Sequence, residues 1–413
     1  MKRTLASLIA VIPLTLAAQS NAGTPHHRLH FRSNYGFFVA NGGESGLPRE
    51  IPSKDLKLKL IKPDDCYELP TTISVSVVDD EGNTTEQAFD VNSYGYATVP
   101  VDAMKGGNVY ISAHFSKPAA FETDQYQLVF SDEFDEEDYS QPNSEKWERA
   151  PHNNNSAWNR YVSTSDKVVY VEDGDLVTRC IPCAPEDLAI NENRDWMSGA
   201  VDTHGLYSFK YGRVDVRALT NPFAGSFPAI WMMPDDQSAG WPFCGEIDIW
   251  EMINTLPTAY GTVHAAKQSQ KSGSTTCKYD GLYHVYTFEW TNEKMTWSID
   301  GRMPYTAYEK KDLTTEQLNS GYWPFNKKFY LILNQSVGHG SWASNPVAGH
   351  EYETRFDFVR IYQTKKQNAR VGIDDITAEA PNLPVATYDL FGRQIQQPAA
   401  HGVYIVGGKK MLM

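Results

Sequence analysis

The sequence predicts an all-β protein in which a large β-sandwich follows a smaller β unit. Short runs of β-branched and aromatic residues recur along the chain, and Gly, Asn and Pro separate them. No long stretch repeats its apolar residues with the 3.6-residue period of a helix. With 413 residues the chain is longer than one hydrophobic core usually organises, so we expect two folded units or one large unit with appendages.

Residues 1–22 have the features of a secretory signal peptide. Lys2 and Arg3 precede the apolar stretch Leu5–Ala18, which is too short for a membrane span and contains Pro13. We expect this segment to be removed on export. No other stretch is long and apolar enough to span a bilayer, so the mature protein should carry no membrane-spanning segment.

Residues 23–124 are predicted to form a small β-sandwich, either a glycan-binding module or a passive spacer. Thr72–Val78 and Val109–Phe115 resemble strands, and Asp80–Asn83 is a turn signal. Residues 125–365 should form the main sandwich, and residues 366–413 a linker and tail with two strand-like runs. Strand-like runs of the main sandwich are Lys167–Val171, Gly212–Ala218, Val285–Trp290, Phe329–Val337 and Arg355–Tyr362.

Composition excludes some classes of partner. The formal charge is −14, and loss of Lys2 and Arg3 with the signal peptide takes it to −16. Binding to nucleic acid or to an anionic membrane surface is therefore not expected.

Five cysteines remain in a chain that we expect to be exported, where disulfides can persist. One hypothesis is a structural bridge between Cys244 and Cys277, which would hold the motif strand to the loop after it. The spacing Cys180–Cys183 resembles a redox motif but opens no helix, and no second Cys pair or His pair accompanies it at zinc-ligand spacing.

The chemistry is predicted in the run Glu246–Glu251. Side chains alternate along a strand, so Glu246 and Asp248 share a face, but the next carboxylate arrives one residue late, at Glu251. A β-bulge adds one residue to a strand and would return Glu251 to that face. The sequence therefore predicts three carboxylates in a row on one face of a sheet.

This spacing suits a glycosidase that retains anomeric configuration. Glutamates four regular strand steps apart can lean inward until their carboxyls are about 5 Å apart, which is the retaining separation. Two charges at that distance repel, so one carboxyl can stay protonated as an acid while the other is ionised. A calcium site or a solvated acidic face would show the same residue types, but the apolar neighbours Ile247, Ile249, Trp250 and Met252 favour a wet cleft in a central strand.

Region 126–363 resembles family 16 of the glycoside hydrolases, in its laminarinase-like branch with a bulged motif. Ordered matches over the region carry the resemblance. They are Phe130–Phe134, Tyr207–Arg213, Phe227–Met232, Trp241–Asp248, Gly261–His264, Phe288–Trp290, Leu331–Asn334 and Phe356–Tyr362.

The resemblance implies a concanavalin-like jelly roll with an open groove for a polysaccharide. It implies that Glu246 is the nucleophile, Glu251 the general acid/base, and Asp248 the residue that tunes the pair. By the same resemblance the substrate contacts would be Trp231, Trp241, His264, Asn159 and Arg160.

The resemblance further implies a structural calcium ion that takes no part in the reaction. Its ligands would be Glu133, the carbonyl of Gly174 and Asp357. Catalysis itself should need no cofactor. The tail, from Tyr388 onward, resembles the C-terminal tails of secreted Bacteroidetes proteins, which implies release from, or display on, a Gram-negative-type cell.

We therefore expect a monomeric, secreted, retaining endo-β-glucanase that cuts β-1,3 or mixed β-1,3/1,4 glucan. Alternatives are the same fold acting on agar, carrageenan, porphyran or xyloglucan, and a non-catalytic glycan-binding surface protein. A serine hydrolase lacks support, because the sequence has no G-x-S-x-G run.

Overall fold

The computed structural model describes residues 27–40, 46–118, 122–266, 271–279 and 281–368, and the backbone of short strands between residues 387 and 412. These parts are almost entirely β, as predicted. None of their helices has the length and apolar character needed to cross a membrane. The predicted signal peptide lies outside the described residues.

The N-terminal unit is a sandwich of two small sheets around its own core. In β5, Ile73, Val75 and Val77 are buried while the residues between them are not, which is the period of a half-buried strand. One sheet has the strand order β1-β8-β5-β6 and the other β2-β4-β7. The strands are β1 Leu29–Ser33, β2 Phe37–Ala40, β3 Leu47–Pro48, β4 Leu56–Ile61, β5 Thr72–Val78, β6 Thr84–Asp90, β7 Tyr96–Val99 and β8 Asn108–Ala113.

The main unit folds as the predicted sandwich. Its strands are β9 Gln127–Asp132, β10 Glu148–Arg149, β11 Val169–Glu172, β12 Asp175–Pro182, β13 Trp196–Asp202, β14 Gly212–Thr220, β15 Ser226–Pro234, β16 Glu246–Glu251, β17 Thr258–His264, β18 Lys271–Thr276, β19 Leu282–Trp290, β20 Lys294–Ile299, β21 Thr306–Glu309, β22 Phe329–Val337 and β23 Tyr352–Gln363. Two short helices follow β21 and β23, α1 Thr315–Asn319 and α2 Lys365–Asn368.

Two layers of this unit enclose its core. Strands β18-β17-β16-β15-β22-β13 form one layer, here called the groove sheet, and β12-β23-β14-β19-β20-β21 form the other, the backing sheet. The apolar side chains between them make one continuous cluster, with Trp250, Trp290 and Trp297 among its largest members. β22 is buried along its whole length, because it lies in the middle of the groove sheet.

The N-terminal unit packs against the outer face of the backing sheet. Phe37 and Val39 contact Val285 and Phe358, whose neighbours along β19 and β23 point into the sandwich core. β3 also pairs with β19. The unit therefore lies behind the backing sheet, on the side opposite the outer face of the groove sheet.

All five cysteines are free thiols, so the bridge hypothesised between Cys244 and Cys277 is wrong. Cys277 lies in the core between the sheets, whereas Cys244 lies in an apolar cluster on the outer face of the groove sheet. A sheet of the sandwich separates the two side chains, and the sequence alone gave no sign of this. In the tail, β24 Thr387–Tyr388, β25 Gln394–Ile395, β26 Val403–Val406 and β27 Lys409–Leu412 form a small sheet.

Candidate active site

β16 contains the bulge that the sequence pattern predicts. Against β17, Asp248 pairs with Thr262 but Glu251 pairs with Tyr260, so the strand has an extra residue between them. The side chains of both Ile249 and Trp250 enter the core between the sheets. Two consecutive core residues return Glu251 to the groove face, beside Asp248.

Contacts on the core side hold the bulge in place. The Trp250 ring stacks on Tyr286 with 4.5 Å between centroids, and its indole N–H donates to the Tyr279 hydroxyl at 2.9 Å. The indole of Trp297 donates to the carbonyl of Asp248 at 2.8 Å, which satisfies a backbone group at the irregular point of the strand. Gly261 makes room for this indole, because a Cβ there would lie 2.5 Å from the Trp297 ring.

On the groove face, the carboxylates have few partners. The Trp241 indole N–H donates to Glu246 Oε2 at 2.7 Å. His264 Nε2 lies 3.2 Å from Asp248 Oδ2 and 3.7 Å from Glu246 Oε1. Asp248 is nearly fully buried, yet its Oδ2 accepts no hydrogen bond of good geometry. Such an unsatisfied buried oxygen is costly and is typical of a functional site.

Burial and mutual repulsion raise the pKa of every carboxyl in this row. Burial, followed by the charge of Asp248, raises the pKa of Glu246 to about 8, although His264 and the Trp241 hydrogen bond oppose the shift. Burial raises the pKa of Asp248 to about 8 as well. The pKa of Glu251 is raised well above its ordinary value by burial, then by Asp248 and Glu246. The row therefore binds protons near neutral pH and can donate one.

Three of these groups are also close enough together to suggest a metal site. Ligand atoms of Glu246, Asp248 and His264 lie within 4.8 Å of one another. Calcium prefers six to eight oxygen ligands, whereas this set includes an imidazole, and the Trp241 N–H occupies one oxygen of Glu246. The arrangement suits proton transfer and nucleophilic attack better than calcium binding.

The two tryptophans predicted to contact substrate have different surroundings. Trp241 is 61% exposed and lies beside the row of carboxylates, with its ring 5.8 Å from that of His264. Trp231 pairs with Asp248 across β15 and β16 but is buried. Its indole donates to Asn334 Oδ1 at 2.8 Å, and its ring packs edge-on against Trp158. The exposed face of Trp241 is the one available to stack on a sugar.

Asn159 and Arg160 mainly hold their own loop together. The Asn159 amide donates to the carbonyl of Pro151 at 2.6 Å, and Asn159 is buried. Arg160 Nε donates to the carbonyl of Ser156 at 3.2 Å. The loop lies next to the groove sheet, because Trp158 contacts Trp231.

Trp342 is a further groove-side tryptophan, absent from the substrate contacts that the family resemblance implies. It is 49% exposed and packs against Tyr260 with 5.3 Å between ring centroids. Because Tyr260 is the cross-strand partner of Glu251, its side chain lies on the same face. Trp342 thus adds an aromatic surface near Glu251, as Trp241 does near Glu246. The sequence feature that could have indicated it is a Trp in the Gly-containing loop that follows the buried strand β22.

The residues expected to bind calcium instead face arginines. Arg360 contacts both carboxylate oxygens of Glu133, at 2.8 and 2.7 Å. Arg32 donates to Asp357 Oδ1 at 3.2 Å, and its Nη2 lies against the backbone of Gly174. Guanidinium groups fill the surroundings of these carboxylates, so the set as arranged does not fit a calcium ion.

Comparisons with known proteins agree with this geometry. The sequence profile of Glycosyl hydrolases family 16 matches residues 155–352. The chain is 34% identical to a β-glucanase of Rhodothermus marinus over 257 residues, covering 58% of this chain and 85% of that protein. It is 32% identical to a keratan-sulfate endo-1,4-β-galactosidase of Sphingobacterium multivorum over 248 residues, covering 58% of this chain but 56% of that relative.

The fold is similar to that of solved enzymes as well. A crystal structure of a non-specific endo-β-1,3(4)-glucanase, with a bound glucan oligosaccharide, superposes with a TM-score of 0.52 at 34% identity. The match covers 60% of this chain and 98% of that one. The remaining 40% of this chain lies outside that match.

Proposed function

The chain belongs to glycosyl hydrolases family 16, and from that premise we propose that it is a retaining endo-β-glucanase acting on β-1,3 or mixed β-1,3/1,4 glucan. The observation that carries the proposal is the bulged strand β16, which presents Glu246, Asp248 and Glu251 on one face beside exposed aromatic rings. A protein that only bound glycan would gain nothing from burying three like-charged carboxyls together.

In the proposed reaction, Glu251 and Glu246 act in turn. Glu251, whose pKa is raised by burial and by its acidic neighbours, is the protonated group and gives its proton to the glycosidic oxygen. The Glu246 carboxylate attacks the anomeric carbon, and a glycosyl-enzyme ester forms as the aglycone leaves. Glu251 then removes a proton from a water molecule as the water oxygen attacks the anomeric carbon and displaces the Glu246 carboxylate. Each of the two displacements inverts the anomeric configuration, so the net result is retention.

The neighbours divide the protonation states between the two glutamates. The Trp241 N–H favours the ionised form of Glu246, because it donates to one of its oxygens. The charge of Asp248 raises the pKa of both glutamates, so it helps to keep the acid Glu251 protonated and leaves the Trp241 hydrogen bond to favour the ionised form of Glu246. His264 Nε2 faces both Glu246 and Asp248, at 3.7 and 3.2 Å from their carboxylate oxygens.

A β-galactan is the second candidate substrate. The relative from Sphingobacterium multivorum is named a keratan-sulfate endo-1,4-β-galactosidase and is 32% identical to this chain over 248 residues. This chain would cut either substrate with the same three carboxyls. Its choice between a glucan and a galactan would be set by the loops that contact the sugars. We rank glucan first because a β-glucanase and a solved glucanase both match at 34% identity, over most of their own lengths.

Product release from a substrate panel tests the proposal. Purified protein would be offered laminarin, barley mixed-linkage glucan, keratan sulfate, agarose and carrageenan, together with Glu246→Gln and Glu251→Gln proteins. Glu145→Gln is the matched control, because Glu145 is exposed and far along the chain from the motif. We expect oligosaccharides from a glucan, a loss of more than about a thousandfold in Glu246→Gln, and wild-type release from Glu145→Gln.

The outcomes are distinct. Product release from keratan sulfate but from neither glucan would show that the proposed substrate is wrong, while the assignment of the catalytic residues would stand. Undiminished glucan hydrolysis by Glu246→Gln would refute the nucleophile. Early product that shows the α anomer in proton NMR would refute retention, because a β-linked substrate cleaved with retention gives the β anomer first.

We further propose that the protein is exported and acts at the cell surface or in the medium as a monomer, without a cofactor in the reaction. The signal-like residues 1–22 support export. Detection of the mature N-terminus near Gly23 in the extracellular fraction would agree with this, and retention of Lys2 and Arg3 in the mature protein would contradict it.

A further inference from the structure

An acidic patch on strands β12 and β23 of the backing sheet, here called the acidic edge, meets the N-terminal unit far from the groove. Asp357 on β23 and Asp175 on β12 are buried at this edge, and Asp135 lies at its rim. Arg32, from the N-terminal strand β1, donates to Asp357 Oδ1 and to Asp135 Oδ1, each at 3.2 Å. One guanidinium from the N-terminal unit thus joins two carboxylates of the main unit.

The Arg32 guanidinium also lies against the turn between β11 and β12. Asp173 and Gly174 both have positive φ, 56° and 73°, as a two-residue hairpin turn of this kind requires. A Cβ on Gly174 would lie 2.5 Å from Arg32 Nη2, so the guanidinium approaches the bare backbone of the turn. Arg49, also from the N-terminal unit, pairs with Asp173 at 2.5 Å.

The two buried carboxylates of the acidic edge, Asp357 and Asp175, need a positive charge beside them. The Asp357 side chain is 10% exposed, and its second oxygen lies 3.3 Å from Arg217 without a well-formed hydrogen bond. Asp175 is buried as well, with its side chain 3% exposed, and it accepts a hydrogen bond from the Tyr283 hydroxyl at 2.5 Å. Buried carboxylates of this kind are stable only when a cation or hydrogen bonds compensate them.

We propose that Arg32 takes the place of the structural calcium ion that the family resemblance implies, so that the N-terminal unit itself supplies the cation for this edge. A guanidinium keeps its charge at every working pH and donates to carboxylates in a plane. Because the group is covalently part of the chain, a chelator cannot remove it. The N-terminal unit is then a stabilising part of the catalytic unit, whichever glycan the enzyme cuts.

Thermal unfolding with and without calcium tests this proposal in the full mature chain. We expect the Tm of the wild type to be unchanged by EDTA and by millimolar CaCl2, relative to MgCl2 at equal ionic strength. We expect Arg32→Met to lower the Tm by about 5 °C or more, because it leaves Asp357 buried with fewer partners. The variant should also acquire a rise in Tm with CaCl2 that MgCl2 does not reproduce, since the vacated carboxylates then face a free volume.

Lys105→Met is the matched control. Lys105 belongs to the same N-terminal unit, and its ammonium pairs at 2.5 Å with the exposed Asp102 of that unit, so the loss should change the Tm little. Equal losses in Lys105→Met and Arg32→Met would overturn the proposal. A wild-type Tm that falls in EDTA or rises in CaCl2 would overturn it too, and this measurement decides the matter if Arg32→Met fails to fold. An Arg32→Met protein that is destabilised but indifferent to calcium would refute the replacement of an ion and leave an ordinary ion pair.

Discussion

The hydrogen bond from Trp241 to Glu246 can be removed without removing the aromatic ring. Trp241→Phe keeps a flat face that can stack on a sugar but loses the N–H that donates to Glu246 Oε2 at 2.7 Å. A hydrogen bond to an ionised group contributes about 1.5–3 kcal/mol. Because Trp241 is 61% exposed and water can partly replace the donor, we take the lower end, about 1.5 kcal/mol, which corresponds to about one pKa unit.

The sign follows from the role of Glu246. The lost bond favoured the ionised form, so the pKa of Glu246 rises in Trp241→Phe. The nucleophile is active when ionised, and its activity is lost as the pH falls through this pKa. The acid limb of kcat/KM should therefore move to higher pH by about one unit, with about a tenfold loss below the limb and a much smaller loss above it.

The assay is the pH dependence of kcat/KM on the substrate identified by the panel. Trp342→Phe is the control, because Trp342 is an exposed groove-side tryptophan that packs on Tyr260 and makes no such bond to Glu246. It should change KM without moving the acid limb. An unchanged acid limb in Trp241→Phe, or equal shifts in both variants, would refute the argument.

Three further predictions concern the charge of Asp248, the buried hydrogen bond of Trp231 and the cysteine thiols. Asp248→Asn removes the charge that helps to keep Glu251 protonated, so the alkaline limb of kcat/KM should move to lower pH; a shift to higher pH would contradict the assigned roles. Trp231→Phe leaves the buried Asn334 oxygen without its donor, so the Tm should fall by at least about 3 °C in calorimetry, and an unchanged Tm would show that the bond contributes nothing. Titration with a thiol reagent should detect the exposed Cys66 rapidly in the native protein and five thiols after unfolding, whereas a total of three would indicate a disulfide.

Local patterns in the sequence predicted most of the fold and the main feature of the site. Thr72–Val78 and Phe329–Val337 are strands with the predicted bounds, because alternation in the first and a continuous apolar run in the second are local properties. The bulge was predictable for the same reason. The offset of Glu251 from the alternation of Glu246 and Asp248 can be read within six residues.

The disulfide hypothesis was wrong, and the arginines beside the expected calcium ligands were not foreseen, because both depend on contacts between distant parts of the chain. Cys244 and Cys277 lie on opposite faces of one sheet, and their spacing contains no trace of that. The pairing of Arg32 with Asp357 joins residues 325 positions apart, so no local pattern contains it. The family resemblance indicated Glu133 and Asp357 as ligands, but it could not indicate the arginines that contact them here, Arg360 and Arg32.

The two consecutive core residues of β16 affect how this strand can change in evolution. In most strands the loss of one residue turns every later side chain to the opposite face, so such a deletion eliminates the function at once. Here the loss of Ile249 would restore regular alternation and still leave Glu251 on the face of Glu246 and Asp248. The outer carboxylates would then be separated by four chain steps in place of five. The catalytic row can therefore be carried by strands of two different lengths, and a single deletion, compensated in the core beneath it, connects one form to the other.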